Sequence, residues 1–513
     1  MGDGMKSARL PGFRLVTLAG TSSSGRRGSS ATGKGRTARV LRSARLPVAA
    51  VGRAARRLDA ATSMVDAEAR VALDRRWAGL PERARVPEQV VGKAFIGCEG
   101  THGVFPRCNF TCSPCYHSSD ANHVRVDGGH TRAAVEQQMG LLRSTRGPHA
   151  HAQLIGGEVS LLDADDHAAA LQVMERFGRV PMSFTHGDFD YDYLERIVLD
   201  AQRRPRLAKI SFAAHFDITM RGRRSVPRPR TEQDLDQARH DFCAMFDRLR
   251  SEHGVASFLA HNMTVTPDNL DQIPDTVRAC RSAGFSMLSF QPAAYMGDSR
   301  RWREDYRSFG SDEVWAQVEA GIGARLPWRV MRYGDDRCNR TAIGVCFGQR
   351  WVPLLDDAEP ADSQVRDLYY QHFGGANIGA TAPALFAAKL SRLLIRRPGL
   401  AALGVRWVGR LVRRAGGLGR VIGCARRREV RPLTFVMHSF IDADAVAPAW
   451  ELMRRGEASD DSRVRAAQER LEACVYHMAH PETGELIPAC VQHSVLDPEE
   501  NKTLRNLLPV IQP

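Results

Sequence analysis

Between residues 94 and 292 short apolar runs alternate with amphipathic stretches. AFIGC (94–98), AQLIGG (152–157), VPMSFTHG (180–187), LAKISFAAHFD (207–217), ASFLAHNMTV (256–265) and FSMLSFQP (285–292) read as strands, being short and rich in aliphatic and aromatic residues. Helical spacing runs through residues 133–142, 165–177, 191–201, 232–252 and 274–283. Six strands with a helix between successive pairs predict an α/β fold, a partial (βα)6 barrel of the TIM type over residues 94–300.

The flanks have other patterns. Residues 1–60 are rich in Gly, Ser, Arg and Ala and show no periodicity, so they are expected to be a disordered basic arm. Charged and apolar residues interleave from Met64 to Arg85, predicting a leading helix within a 61–93 segment. Residues 301–384 form a linker that carries Cys338 and Cys346. Residues 385–431 predict two basic amphipathic helices separated at Pro398. In the first, Lys389, Arg392 and Arg396 oppose Phe386, Leu390 and Leu393; in the second, Arg406, Arg410 and Arg413 oppose Leu403, Trp407 and Leu411. Such helices lie on anionic membranes or pack as a solvated hairpin, and periodicity does not separate the two. Residues 432–513 form a C-terminal extension carrying Cys474 and Cys490, with His477, His480 and His493 nearby.

Charge sharpens this division. Of the formal net +14, residues 1–60 hold +11 and residues 385–431 hold +12, which leaves −9 for the remainder. An acidic body with two basic appendages argues against a nucleic-acid enzyme and for two local electrostatic contacts. No apolar run reaches the length of a membrane span, and no apolar signal core follows the basic N-terminus. The eleven cysteines, three bunched and eight scattered, do not form a secreted disulfide framework, which predicts a cytoplasmic protein, peripheral on the membrane if the basic helices dock.

The bunched cysteines carry the chemistry. Cys108, Cys112 and Cys115 are spaced C-x3-C-x2-C in CNFTCSPCY. Three such thiolates can hold three irons of a [4Fe-4S] cube and leave the fourth open to a substrate. A zinc site ordinarily takes four ligands in paired spacing and leaves the Gly156-Gly157-Glu158 turn unexplained. The loop and turn together resemble the radical S-adenosylmethionine (SAM) superfamily. That resemblance implies that the methionine end of SAM completes the cluster, that the turn receives its amino group, and that a low-potential donor such as ferredoxin or flavodoxin supplies electrons. Before the third cysteine this chain has Pro114 where an aromatic residue is usual, and Tyr116 is the candidate adenine contact in its place.

Chemistry in parallel barrels gathers at the carboxyl ends of the strands. Those ends offer Glu158, His186, Asp188, His215, Asp217, His261, Asn262, Thr264 and Gln291. The expected cofactor-binding set is Gly156, Gly157, Glu158, His215, Asn262 and Gln291. Cys338, Cys346, Cys474 and Cys490 are candidate ligands of an auxiliary centre, either a second iron–sulfur cluster or a mononuclear metal; Cys243, Cys280 and Cys424 read as buried core thiols. The passages from Phe435 to Val446 and CVYHMAHPETGELIPAC resemble the tetraether lipid synthase and methyltransferase-like group. That resemblance implies a lipid or pterin substrate; the upstream metal pair of the group is reduced here to Cys98 within CEGTHG, so the substrate does not carry over, and a lipid chain ranks first. A peptide- or protein-modifying enzyme and a non-catalytic iron–sulfur sensor or electron carrier are the alternatives.

Overall fold

Asp66 begins the first helix, its carboxylate accepting the Ala69 N–H at 2.6 Å. The computed structural model describes residues 63–116, 119–207, 209–376 and 383–510 of the 513. The expected basic arm over residues 1–60 lies outside them. Helix α1, Ala67–Ala78, is the expected leading helix.

In chain order there follow β1 (Cys98–Gly100), β2 (Thr111–Cys112), α2 (Gly128–Arg146), β3 (His151–Leu154), α3 (Ala164–Arg176), β4 (Val180–Thr185), α4 (Tyr191–Val198), β5 (Lys209–His215), β6 (Met220–Arg221), α5 (Asp236–His253), β7 (Ala256–Val265), α6 (Ile273–Ala283) and β8 (Met287–Pro292). Five of these strands and the five helices between the six fall on the stretches read from the sequence. The first strand is displaced. Gly97, at φ +148°, turns the backbone, so pairing starts at Cys98 and not at Ala94.

The rest of the chain adds α7 (Ser311–Ile322), β9 (Asn339–Phe347), β10 (Arg350–Pro353), α8 (Pro360–Phe373), α9 (Pro383–Arg396), α10 (Pro398–Arg414), α11 (Leu418–Arg426), β11 (Val430–His438), α12 (Ala443–Arg455), α13 (Ser462–Glu472), β12 (Tyr476–His480), β13 (Glu485–Pro488) and α14 (Asp497–Leu507). Strand β11 joins the sheet parallel to β8, and β12 joins it parallel to β1. Eight parallel strands thus lie side by side in the order β11-β8-β7-β5-β4-β3-β1-β12, and antiparallel β9, β10 and β13 cover the two edges. The sheet curls into an open half-barrel.

Alternation along the strands separates two faces. Phe212, Met263, Leu288, Phe290 and Phe435 point outward and pack against helix residues such as Met139, Phe242, Phe246 and Val277 in the main core. Small residues, Ala213 and Ala260 with Met182, occupy the inner face.

The basic insert is helical as expected, but its faces are assigned differently. Trp407 is half-buried and donates its Nε1–H to the Leu354 carbonyl at 2.9 Å. Arg410 and Arg414 reach the fully buried Asp362 carboxylate at 2.8 and 2.6 Å. The stripe of Leu403, Trp407 and Leu411 therefore packs toward the body, because one buried carboxylate draws two arginines of α10 inward. The apolar residues most exposed to solvent there are Ile395 (81 % exposed), Val405 (72 %), Leu418 and Val408.

Candidate functional site

The cysteine loop lies across the carboxyl ends of the parallel strands. Thr111 and Cys112 pair with Arg221 and Met220, and the Ser113 N–H donates to the Thr219 carbonyl, so a short ribbon ties the loop to the segment after β5. The Cys108 N–H donates to Asn122 Oδ1 at 3.0 Å, and the Phe110 N–H donates to Cys108 Sγ at 3.3 Å. Cys108, Cys112 and Cys115 are all half-buried.

Their electrostatics test what the loop can hold. Burial, the Glu158 carboxylate and Cys115 push the Cys108 thiol up to about 12. A hydrogen bond with Cys115, burial and charge repulsion from Cys115 push Cys112 up as well. Three thiolates would not coexist here unless a positive charge sat among them. An iron–sulfur cluster provides that charge and takes this donor set, so the residues fit the group.

Gly156 and Gly157 are required by close packing. A Cβ on Gly156 would lie 2.6 Å from the Phe105 ring, and one on Gly157 would lie 2.2 Å from the Arg107 carbonyl oxygen. The Gly157 and Glu158 N–H groups donate to the Phe105 and Arg107 carbonyls at 2.8 and 2.9 Å. The turn thus clasps the chain that enters the cysteine loop. Glu158 is 1 % exposed, and its carboxylate accepts from Ser160 N, Thr185 Oγ1 and His186 N.

At the other strand ends the period of two decides which side chains face inward. Asn262 and Thr264 face the interior, while His261 between them faces outward, where Arg239 Nε donates to its Nε2 at 3.1 Å. The expectation that His261 reaches the mouth is therefore corrected. His215 Nε2 lies 2.9 Å from Asp217 Oδ2 and 3.1 Å from Thr264 Oγ1. Burial works against the Asp217 carboxylate, but His215, Thr219 and the Thr264 N–H together hold it below the usual range. Asn262 is 2 % exposed, and its Nδ2 has no hydrogen-bond partner among the described residues. Gln291 stands opposite Thr264 in the β7–β8 register. Tyr116 packs against His493, with ring centroids 4.7 Å apart, and against Phe440.

The other cysteines divide. Cys346 is buried in the main core, opposite Trp351 and Arg431 in the sheet. Eight residues along β9 place it about 26 Å from Cys338 at a strand's rise per residue, so it does not share a centre with Cys338. Burial and the charges of Cys474 and Cys338 push Cys490 up to about 12. Burial raises Cys338 to about 11 despite Arg470, whose Nε donates to its Sγ at 3.1 Å. Cys98 also feels Cys474, and its Sγ accepts from Gln153 Nε2 at 3.0 Å. Cys338, Cys474 and Cys490 thus feel one another's charge, and Cys98 feels that of Cys474. Sequence reasoning missed Cys98 as a member because its proximity comes from the pairing of β1 with β12.

Two further residues escaped the sequence. Asn109 Oδ1 accepts from His186 Nε2 at 2.9 Å. Arg223 is buried beneath Phe110 and Phe216, donates to the His186 carbonyl at 2.7 Å, and is lowered by burial to about 10. In the sequence it sits in RGRRSVPRPR and reads as a solvated charge.

No family model and no curated protein matches the chain. Among solved structures, SuiB of Streptococcus suis is 13 % identical with a TM-score of 0.26, over 39 % of this chain and 40 % of that one. SuiB bound to its precursor peptide SuiA is 12 % identical with a TM-score of 0.28, over 50 % and 47 %. Native anSMEcpe with bound AdoMet is 12 % identical with a TM-score of 0.29, over 43 % and 58 %. The chain spans about half the length of these structures or less than two thirds of it, and the functional reading rests on its own residues.

Proposed function

We propose that the chain is a radical SAM enzyme that modifies an unactivated carbon, and that its substrate is a lipid. The observation that carries the enzyme reading is the three-thiol loop clasped by Gly156 and Gly157 over the carboxyl ends of the strands. Cys108, Cys112 and Cys115 would hold a [4Fe-4S] cluster. When bound, the cluster and SAM supply an electron and a 5′-deoxyadenosyl radical that abstracts hydrogen. The residues of the chain position and shield. Carbonyl oxygens of the Gly156–Gly157 turn suit the SAM ammonium, and the Gly157 and Glu158 N–H groups are already engaged. The unpartnered Asn262 amide and the His215–Thr264 pair offer polar contacts to the sugar or carboxylate. Ferredoxin or flavodoxin is the electron donor we assign.

The lipid assignment is supported by α9–α11. Ile395, Val405, Val408 and Leu418 stand in solvent within residues 385–431, which carry thirteen Lys and Arg. A cleft of about 640 Å³ lined by Arg420, Arg427, Arg431 and Glu429 would take an anionic headgroup. No helix among the described residues is long and apolar enough to cross a membrane, so docking would be at the surface. The enzyme test is anaerobic incubation of the reduced protein with SAM. 5′-Deoxyadenosine should form with wild type and vanish in the triple Cys108, Cys112, Cys115→Ala variant; its persistence there rejects the reading. For the substrate, a lipid extract is added and products are followed by mass spectrometry. Anionic vesicles should sediment wild type at low salt and release Ile395→Glu/Val405→Glu, with no shift in Trp407 emission because that ring is already packed.

A further inference from the structure

The carboxyl ends of β1 and β12 bring together three side chains that play no part in the cysteine site: His102, His480 and Glu500. His102 Nδ1 lies 2.9 Å from Glu500 Oε2, and His480 Nδ1 lies 3.7 Å from Glu500 Oε1. The two rings stack with centroids 4.1 Å apart. One donor atom from each of the three residues falls within 4.8 Å of the others. His480 is 8 % exposed, and the Glu500 side chain at 29 % gives access from solvent.

The hydrogen-bond pattern fixes which nitrogens carry hydrogen. His102 Nε2 is 2.9 Å from the Ala479 carbonyl, which only accepts, so that nitrogen is N–H. Gln492 Nε2 donates to Asp497 Oδ1 and Glu500 Oε2, each at 2.9 Å. Its amide oxygen is therefore the atom facing His480 Nε2 at 2.5 Å, and that nitrogen is N–H too. Both Nδ1 lone pairs are left pointing at the two oxygens of one carboxylate. The 2.9 Å His102–Glu500 contact needs a proton or a cation between its lone pairs, and His480 Nδ1, 3.7 Å from the other carboxylate oxygen, is placed to share a cation but is too far to share a proton. A proton on His102 Nδ1 answers one of the two contacts, whereas a divalent cation answers both. Histidines that ligate metals characteristically donate their other N–H to a carbonyl or amide oxygen, as both do here.

We propose that His102 Nδ1, His480 Nδ1 and the Glu500 carboxylate bind a divalent transition-metal ion of the zinc class, which two imidazoles and a carboxylate suit. The ion would staple α14 and β12 to residue 102, six positions ahead of Cys108. It needs no thiol and is independent of the SAM reading.

The test uses the full chain, stripped with chelator and titrated anaerobically with Co2+. Wild type should bind, beyond any Co2+ taken by its thiols, one equivalent that adds ligand-field bands but no further thiolate charge transfer. That equivalent should be absent in Glu500→Gln and His102→Gln. Gln492→Ala leaves all three ligands in place and should weaken it about 10–100-fold. Glu500→His, which restores a nitrogen ligand, should recover binding and guards against a variant that fails through misfolding. Unchanged binding in Glu500→Gln, or a purely sulfur first shell in X-ray absorption of the zinc-loaded wild type, overturns the site and leaves a protonated His102–Glu500 pair.

Discussion

His186 donates its Nε2–H to Asn109 Oδ1 at 2.9 Å while its Nδ1 accepts the Asp188 N–H at 3.0 Å. The second contact fixes the tautomer, and the ring stacks on Phe110 at 3.8 Å. Since the His186 N–H also donates to Glu158, this one residue joins the glycine turn to the cysteine loop. Burial lowers its basicity, so it stays the neutral donor that the contact needs.

The glycine turn is tested by adding a methyl group. Gly157→Ala places a Cβ 2.2 Å from the Arg107 carbonyl, so turn or loop must shift. A loss of about 1–3 kcal/mol is expected in denaturant melts. Gly404→Ala, in α10 with nothing within 4 Å of its Cβ, should instead gain about 0.5–1 kcal/mol. Equal effects would mean that the turn does not clasp the loop.

Iron content separates the scattered cysteines. If Cys98, Cys338, Cys474 and Cys490 hold a second cluster, reconstituted protein carries about eight irons at four per cluster. Cys474→Ser should then lower the count, while Cys346→Ser should leave it unchanged. Iron lost from Cys346→Ser would contradict its place in the core.

Asp362 is the internal anchor of the basic helices. Asp362→Ala removes the carboxylate and leaves Arg410 and Arg414 facing a buried void, a change expected to cost about 3–5 kcal/mol. Hydrogen exchange should show residues 383–426 opening before the sheet does. Uniform protection in the variant would deny the anchor.

Acid should destabilise the fold through its buried histidines. His167 sits between Ser183 Oγ and Tyr193 Oη, and burial lowers it to about 3 from an ordinary 6.5. Between those values the unfolded chain binds a proton that the folded chain refuses. Stability therefore falls as pH falls, by up to about 1.4 kcal/mol per pH unit for this one group. Melts of His167→Gln between pH 7 and 4 should show a shallower fall than wild type; parallel curves would reject the assignment.

Five of the six strands, the five helices between them and the cysteine loop were legible in the sequence because all are local: a strand declares itself in five or six residues, and the three cysteines lie within eight. The strand ends carrying Glu158, Asn262 and Thr264 were legible too, but His261 was gathered with them because the period of two, which sends it to the other face, was not applied. Where β11 and β12 pair was not legible. β12 meets β1 across 378 residues at the Cys98–Tyr476 register, and an apolar run names no partner. That pairing decided that Cys98 joins Cys474 and that His102 meets His480. The same limit applies to α10: helical spacing showed two faces, but only a buried carboxylate on α8 determined which face turned inward. Contacts made by one segment alone follow from its residues, whereas those made between distant segments depend on which burial the whole chain can satisfy at once.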